Sequence, residues 1–191
     1  MPFDDEQTPP FAVTAPPHVR LAGTIELESL AAFHDQLANA GEADPLVVEV
    51  MTTGGDAEVG RRLALEAGLA RRRLRRRIVF LGKTVVYSAG VTVMAGFPVA
   101  DRFLTRDCRL LIHCRKLTKT LNLDGPLGAC ERQLAEVVAE IETGKALQTE
   151  GYQQLIEGSR ISLDEVEQRA AENWYLTAEE ALERGLVAGV V

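Results

Sequence analysis

Ser88 is the residue in this sequence whose surroundings best suit covalent chemistry. The apolar run at 78–81 predicts a buried strand, and the apolar spacing from Val91 onwards predicts a helix, so Ser88 lies where a strand ends and a helix begins. At such a corner a hydroxyl faces outward over the edge of the sheet, and the amide of the next residue, Ala89, points at whatever binds beside it. The small residue Gly90 leaves room for a substrate backbone. The corner therefore has the geometry that a serine nucleophile needs.

Composition limits the kind of protein that carries this corner. The chain has 191 residues, of which 46% are hydrophobic, which is enough for one globular domain with a substantial core. Its net charge of -7 argues against nucleic acid or an anionic membrane as a partner. The three cysteines lack CxxC spacing and predict neither a disulfide framework nor a zinc site. Acidic residues near the N-terminus do not suit a signal peptide, and no apolar run reaches the length of a membrane span, so we expect a cytoplasmic protein.

The chain alternates between predicted strands and helices, which indicates an α/β domain. Residues 1–17 are acidic and rich in proline, and we expect an extended or mobile N-terminal arm there. Residues 18–191 form the single domain. Strands are predicted at 18–21, 46–50, 78–81, 102–104 and 109–113. Helices are predicted around Leu30 to Leu37, around Val59 to Leu69, at about 126–157, and from the Ser-x-x-Glu and Thr-x-x-Glu caps at Ser162 and Thr177.

Six arginines lie within seven residues, at Arg71, Arg72, Arg73, Arg75, Arg76 and Arg77. Arginines near the C-terminus of a helix interact favourably with its dipole and stay solvated, and this is the interpretation that we favour. The alternative is a patch that binds nucleic acid or an acidic partner. No aromatic residues are interleaved with the arginines to provide stacking surfaces, which argues against that alternative.

Four short segments together resemble one known family. They are Thr52-Thr53-Gly54-Gly55, Tyr87-Ser88-Ala89-Gly90, Leu111-Ile112-His113, and Leu176-Thr177-Ala178-Glu179-Glu180-Ala181 with Gly185-Leu186-Val187. In this order they are similar to the proteolytic subunit of the Clp protease, a ClpP-like serine peptidase, from about residue 18 to the end. The resemblance implies a crotonase-like α/β fold with stacked β-α units and a protruding long helix for oligomerisation. It also implies a Ser-His-Asp triad, rings of subunits that enclose a chamber, an AAA+ ATPase that feeds in unfolded protein, and no cofactor in the subunit itself.

The resemblance assigns roles to four residues of this chain. Ser88 would be the nucleophile, and His113 would be the general base that accepts the hydroxyl proton and later donates it to the leaving amine. The main-chain amides of Gly55 and Ala89 would form the oxyanion hole. With these roles the chain would cleave peptides or unfolded protein inside the chamber.

Three departures from the family pattern concern this site. Asn173 stands where the family has the aspartate of its triad, and an amide can orient a histidine but cannot stabilise the imidazolium by charge. Thr53 replaces the proline of the family's Ser-Pro-Gly-Gly turn. Cys114-Arg115 replaces the Gln-Pro that follows the histidine, and an insertion-like segment follows at 116–125. We therefore expect a weakened triad with Asn173 as its third member, and an altered substrate preference.

Three other interpretations remain open. A structural or regulatory subunit would keep the fold and lose efficient chemistry, and Asn173 favours it. A crotonase-type enzyme would use the same two-amide oxyanion hole on an acyl-CoA thioester, without needing Ser88 or His113. A Ser-Lys hydrolase would use Lys83 as the base, although a lysine at that position is more often solvated.

Overall fold

The computed structural model describes residue 13 and residues 16–191, so most of the predicted N-terminal arm lies outside the described residues. This part of the chain contains seven strands and six helices, in the order β1 (Val19–Ala22), α1 (Leu27–Ala38), β2 (Leu46–Thr52), α2 (Ala57–Leu74), β3 (Ile78–Tyr87), α3 (Ala89–Ala95), β4 (Arg102–Leu104), β5 (Arg109–Ile112), α4 (Leu127–Ile156), α5 (Leu163–Ala171), β6 (Trp174–Thr177), α6 (Ala178–Glu183) and β7 (Gly189–Val190). Within the same residues, none of the helices combines the length and the apolar character that a membrane span requires.

The strands form one mixed sheet in which β3 has three neighbours. Strands β1, β2, β3, β4 and β7 are parallel neighbours in this order. The first half of β3 pairs with β4 at residues 80–82, and its second half pairs with β5 at residues 85–87. Strand β6 runs antiparallel beside β5. Because parallel strands end at the same edge of a sheet, the residues that follow β2, β3 and β5 are brought together.

Strand β3 is longer than the sequence predicts. The predicted strand ends at Leu81 because Gly82 interrupts the apolar run, whereas the observed strand continues to Tyr87. Thr84 has a positive φ of 55°, and the pairing with β2 shifts register nearby, so the strand accommodates its polar middle as a bulge. This irregularity lies between the half of β3 that pairs with β4 and the half that pairs with β5.

The two faces of the sheet carry separate apolar clusters. Val48 of β2 and Phe80 of β3 are fully buried in one cluster with Phe33 of α1 and Leu63 of α2. Side chains alternate across a strand, so the residues next to these face the opposite side of the sheet. There the second cluster consists of Val13, Val47, Val79, Leu81 and Phe103. The helices therefore cover one face of the sheet.

Arg102 connects two helices that border the candidate site. It begins β4, is only 1% exposed, and donates hydrogen bonds to carbonyl groups at the C-terminal ends of α3 and α4. The closest contacts are to the oxygens of Phe97 and Leu155, both at 2.7 Å. Burial lowers the pKa of Arg102 to about 10, although Glu157 opposes this shift, so the group stays charged at neutral pH. Its charge complements the negative ends of the two helix dipoles.

Three members of the arginine cluster have partners within the protein. Arg77 Nε lies 2.5 Å from Asp101 Oδ1, and Arg71 Nη1 lies 3.7 Å from Asp101 Oδ2. Arg76 donates to the main-chain oxygen of Gly41 at 2.5 Å. The contacts to Asp101 attach the end of α2 to the turn before β4, and the contact to Gly41 attaches it to the segment between α1 and β2. Part of the cluster therefore has a structural role.

Candidate active site

Ser88 lies at a strained corner between β3 and α3. Its φ of 54° and ψ of -115° are uncommon for a residue with a side chain and cost on the order of 1–3 kcal/mol. The corner is held on both sides: the N–H of Ser88 donates to Leu111 O of β5, and its carbonyl accepts from Val91 N of α3, both at 2.9 Å. Such a turn presents a nucleophilic serine at the edge of the sheet. The predicted strand-to-helix corner is therefore confirmed.

Two glycines after β2 let the neighbouring chain segments approach Ser88 closely. Gly54 has a φ of 110°, and a side chain there would place its Cβ 2.8 Å from the Cβ of Ser88. Gly55 has a φ of 151°, and its Cβ would lie 2.2 Å from the oxygen of Ile25. A side chain at Gly54 would force the main chain away from the Ser88 corner, and one at Gly55 would force it away from Ile25.

Two main-chain amides beside Ser88 have no hydrogen-bond partner among the described residues. On either side of Gly55, the N–H of Ile25 donates to the oxygen of Gly54 and the N–H of Asp56 donates to the oxygen of Ile25, whereas the N–H of Gly55 has no partner among the described residues. Ala89 is the first residue of α3, where an N–H has no partner within the helix. Both residues line the same cleft as Ser88. Free main-chain N–H groups that line the cleft of a nucleophile are the donors that an oxyanion hole uses.

His113 follows the last residue of β5 and lines the same cleft as Ser88. It is half-buried, and its Nδ1 lies 2.6 Å from the main-chain oxygen of Cys114. Within the described residues, no hydrogen bond joins its ring to Ser88. The structure therefore brings the predicted nucleophile and the predicted base to one cleft without a direct contact between them.

Asn173 lies between α5 and β6, outside the set of residues that line the cleft. The ladder between β5 and β6 ends at the pair Ile112 and Trp174, so His113 and Asn173 are the next positions in register. The side chain of Asn173 is exposed and has no hydrogen bond to the histidine among the described residues. Its φ of 59° suits an asparagine that terminates a helix, and its N–H donates to Ala170 O at 3.2 Å.

The cleft has a volume of about 570 Å³ and is closed on one side by α4. Leu147 and Leu155 of α4 line it, together with Tyr152, which is 7% exposed. The Tyr152 hydroxyl is buried without a hydrogen-bond partner among the described residues, and burial raises the pKa of this phenol. The apolar side chains that α4 contributes to the cleft suit an uncharged substrate side chain.

Charged residues also line the cleft. Glu58 of α2 pairs with Arg61 at 2.8 Å and also with Arg115, which follows β5. Partial burial raises the pKa of Glu58, but the hydrogen bonds from the two arginines outweigh this effect and hold the pKa below its ordinary value. Glu58 therefore stays ionised at neutral pH and attaches the segment after His113 to α2.

Lys83 is not placed to act on Ser88. Its Nζ lies 2.6 Å from Glu49 Oε2 on β2, and the residue does not line the cleft. The Ser-Lys interpretation therefore lacks support from the geometry.

Comparison with known proteins identifies the family. The family model described as Clp protease matches residues 18–191. This chain belongs to the Clp protease family. Among solved structures, it is similar to an asparagine-to-aspartate mutant of ClpP1 from Listeria monocytogenes, with a TM-score of 0.71 and 19% sequence identity over 91% of this chain and 90% of that chain. That likeness shows the ClpP-like, crotonase-type fold, as the sequence predicts. No curated protein matches the chain.

The Clp family motifs predict the site residues that follow β2, β3 and β5. They do not predict that α4 contributes to the cleft. Gln148 and Tyr152 line the cleft, and neither is predicted from the sequence to belong to the site. The apolar spacing of the long helix indicates a packed face without showing which residues meet Ser88. The only hint in the sequence that α4 contributes to the site is a polar residue, Gln148, directly after the apolar Leu147.

Proposed function

We propose that this Clp family member is a serine peptidase that cleaves peptides or unfolded protein. Ser88 Oγ attacks the scissile carbonyl while His113 accepts the hydroxyl proton, and the amides of Gly55 and Ala89 bind the oxyanion. His113 then donates the proton to the leaving amine, which leaves an acyl-enzyme ester on Ser88. Water hydrolyses this ester by the same steps in reverse. No step requires a cofactor.

The observation that carries this proposal is the placement of a strained serine beside two free amides. Ser88 has a positive φ of 54°, and the N–H groups of Gly55 and Ala89 are unpaired among the described residues. A backbone strain of this kind persists only where the surrounding structure holds it, and such residues cluster at functional sites. An ordinary turn serine would not need either feature.

Asn173 occupies the third position of the proposed triad. In serine proteases of another fold, replacing the triad aspartate by asparagine lowers turnover by roughly 10⁴, mainly because the histidine takes the wrong tautomer. Here Asn173 provides no negative charge for the imidazolium that forms when His113 accepts the proton. We therefore propose a slow peptidase rather than an efficient one.

We also propose that the chain works as a ring-shaped homo-oligomer in the cytoplasm. Leu134, Val138 and Ile141 of α4 are each more than two-fifths exposed, which supports an interface between copies. By resemblance to the family, a chamber would confine the substrate and an AAA+ unfoldase would deliver it.

A structural or regulatory subunit is the second candidate. It is favoured by the exposed Asn173 and by the lack of a hydrogen bond between Ser88 and His113 among the described residues. Such a subunit would assemble with an active copy and contribute little cleavage of its own.

Peptide and thioester turnover together test the proposal. The wild-type chain should release the fluorophore from a short peptide amide, and Ser88→Ala should abolish this release. If the wild type turns over an acyl-CoA thioester instead, and Ser88→Ala does so at the same rate, the crotonase-type interpretation replaces ours. If neither substrate reacts and the fold is intact, the regulatory interpretation replaces it.

A further inference from the structure

The peptide group between Cys114 and Arg115 is hydrogen-bonded through both its carbonyl and its N–H. Its carbonyl oxygen, on Cys114, lies 2.6 Å from Nδ1 of His113. Its N–H, on Arg115, donates to Oε1 of Gln148 at 2.7 Å. A main-chain carbonyl only accepts hydrogen bonds and a main-chain N–H only donates them. The His113 nitrogen that faces Cys114 must therefore carry a hydrogen, and Gln148 must present its oxygen.

We infer that Gln148 is a positioning residue for His113 and acts through this peptide group. The inference rests on the proposed function, because it concerns how the proposed base is prepared. With Nδ1 protonated, the neutral ring has its lone pair on Nε2, and one defined nitrogen is then free to accept the Ser88 proton. In a Ser-His-Asp triad a carboxylate fixes this tautomer. In this chain the carbonyl of Cys114 provides the acceptor, and Gln148 fixes the carbonyl.

The segment after β5 needs such an anchor. Residues 113–124 contain no helix and no strand, so no ladder of hydrogen bonds fixes the orientation of the Cys114 carbonyl. Gln148 lies on α4, whose C-terminal end is bonded to Arg102 through Leu155 O at 2.7 Å. The half-buried side-chain amide of Gln148, on a fixed helix, therefore holds the N–H of this peptide group.

A second attachment holds the same residue in place. The guanidinium of Arg115 pairs with Glu58 on α2, and both residues line the cleft. Arg115 is thus bonded to α4 through its N–H and to α2 through its side chain. Hydrogen bonds in series polarise one another, so the bond from Gln148 also strengthens the carbonyl of Cys114 as an acceptor.

The aspartate of a Ser-His-Asp triad fixes the tautomer of the histidine and stabilises the imidazolium, and in this chain the two tasks are separated. The carbonyl of Cys114 fixes the tautomer of His113 without help from Asn173, whose side chain has no contact with the ring among the described residues. A carbonyl has no formal charge, so the stabilisation of the imidazolium is the task that remains unfulfilled.

The test combines nitrogen NMR of the histidines with labelling of Ser88. Gln148→Leu removes the acceptor, Gln148→Glu keeps one, and Gln153→Leu is a matched control at an exposed position of the same helix. Protein labelled with ¹⁵N-histidine has three histidines, and a His113→Gln variant assigns the signal of His113. The labelling arm measures the rate of reaction of Ser88 with a fluorophosphonate probe.

We expect the wild type to show the Nδ1–H tautomer of His113 when the imidazole is neutral. In Gln148→Leu the Nε2–H form should appear, and the labelling rate should fall about fivefold or more, which corresponds to the loss of one hydrogen bond. Gln148→Glu should keep the Nδ1–H tautomer because it keeps the acceptor, and Gln153→Leu should stay close to the wild type in both measurements.

An Nε2–H tautomer in the wild type overturns the inference, and so does Gln148→Leu behaving like Gln153→Leu in both measurements. The NMR arm does not need a reactive serine. If Ser88 of the wild type takes no label, the proposed peptidase function fails, while the tautomer of His113 still decides the role of Gln148.

Discussion

Asn173 is the residue with the largest expected effect on the rate of the proposed reaction. It follows α5 with a φ of 59°, a conformation that asparagine and aspartate both tolerate, so exchanging them requires no movement of the backbone. The β5 and β6 ladder places it next to His113 in register. An aspartate there would bring a negative charge close to the imidazole, where it favours the protonated ring.

We predict that Asn173→Asp raises the rate of peptide cleavage by about tenfold or more. The added charge stabilises the imidazolium that forms during proton transfer, and tenfold corresponds to about 1.4 kcal/mol of transition-state stabilisation. The measurement is the steady-state cleavage of a fluorogenic peptide at neutral pH.

The double variant that also carries Ser88→Ala is the control, because it separates a repaired triad from a contaminating protease. It should lose the whole gain. An unchanged or lower rate for Asn173→Asp, with the fold and the oligomer intact, contradicts the assignment of position 173. Asp164 and Glu172 would then be the carboxylates to examine.

The residues of the site differ in how far the sequence can predict them. Ser88 and the amide of Ala89 depend on one local strand-to-helix turn, and the turn is visible in the order of apolar and small residues. Gly55 depends on a Gly-Gly pair directly after a clear strand. Gln148 contacts a residue 33 positions away in the chain, and helix periodicity alone does not show which residues such a helix meets.

At the scale of the elements, Arg102 connects β4 with the ends of α3 and α4. Its guanidinium donates to five main-chain carbonyls, which belong to Ala95, Phe97, Gln154, Leu155 and Leu186. Buried carbonyls without a donor destabilise the folded state, so this side chain satisfies several groups at once.

We predict that Arg102→Met lowers the free energy of unfolding by about 3 kcal/mol or more. The methionine fills much of the space, but it leaves several buried carbonyls without a donor, and each costs on the order of 1–3 kcal/mol. The measurement is urea unfolding followed by circular dichroism.

Arg106→Met is the matched control, because Arg106 is exposed. It should change the free energy of unfolding by less than about 0.5 kcal/mol. Equal effects of the two variants would contradict the structural role of Arg102.

The sequence predicts the elements that carry a local signal better than those that depend on distant pairing. The strands through β5 and the helices with caps follow from apolar period and capping residues, and Thr177 and Ser162 do accept the predicted hydrogen bonds. Strands β6 and β7 have four and two residues, and neither is predicted. Their extended form comes from pairing with β5 and β4, which lie far away in the chain.

At the scale of the whole molecule, most of α4 is exposed on the surface of the single chain. Its two buried residues, Tyr152 and Leu155, both lie near its C-terminal end. Leu134, Val138 and Ile141 share one face of the helix at i, i+4 and i+7, with exposures of 45%, 53% and 41%. The coil before the helix exposes further leucines, at Leu117, Leu121 and Leu123. Apolar surface of this kind marks an interface.

We predict that the wild type is a homo-oligomer and that Val138→Glu shifts it towards smaller species, because the new charge would be buried at the interface without a partner. Thr143→Glu adds the same charge at an exposed position on the far side of the helix and should leave the assembly intact. Multi-angle light scattering measures both. A wild-type chain that is only monomeric at micromolar concentration contradicts the prediction.

The most direct test of the account is covalent labelling of the folded wild type with a fluorophosphonate or β-lactone probe, followed by intact-mass and peptide mass spectrometry. The account predicts one adduct per labelled chain, located on Ser88, which is absent from unfolded protein and from a folded Ser88→Ala variant. Folded, assembled wild type without an adduct on Ser88, or equal labelling of wild type and Ser88→Ala, would contradict the claim that Ser88 is an activated nucleophile.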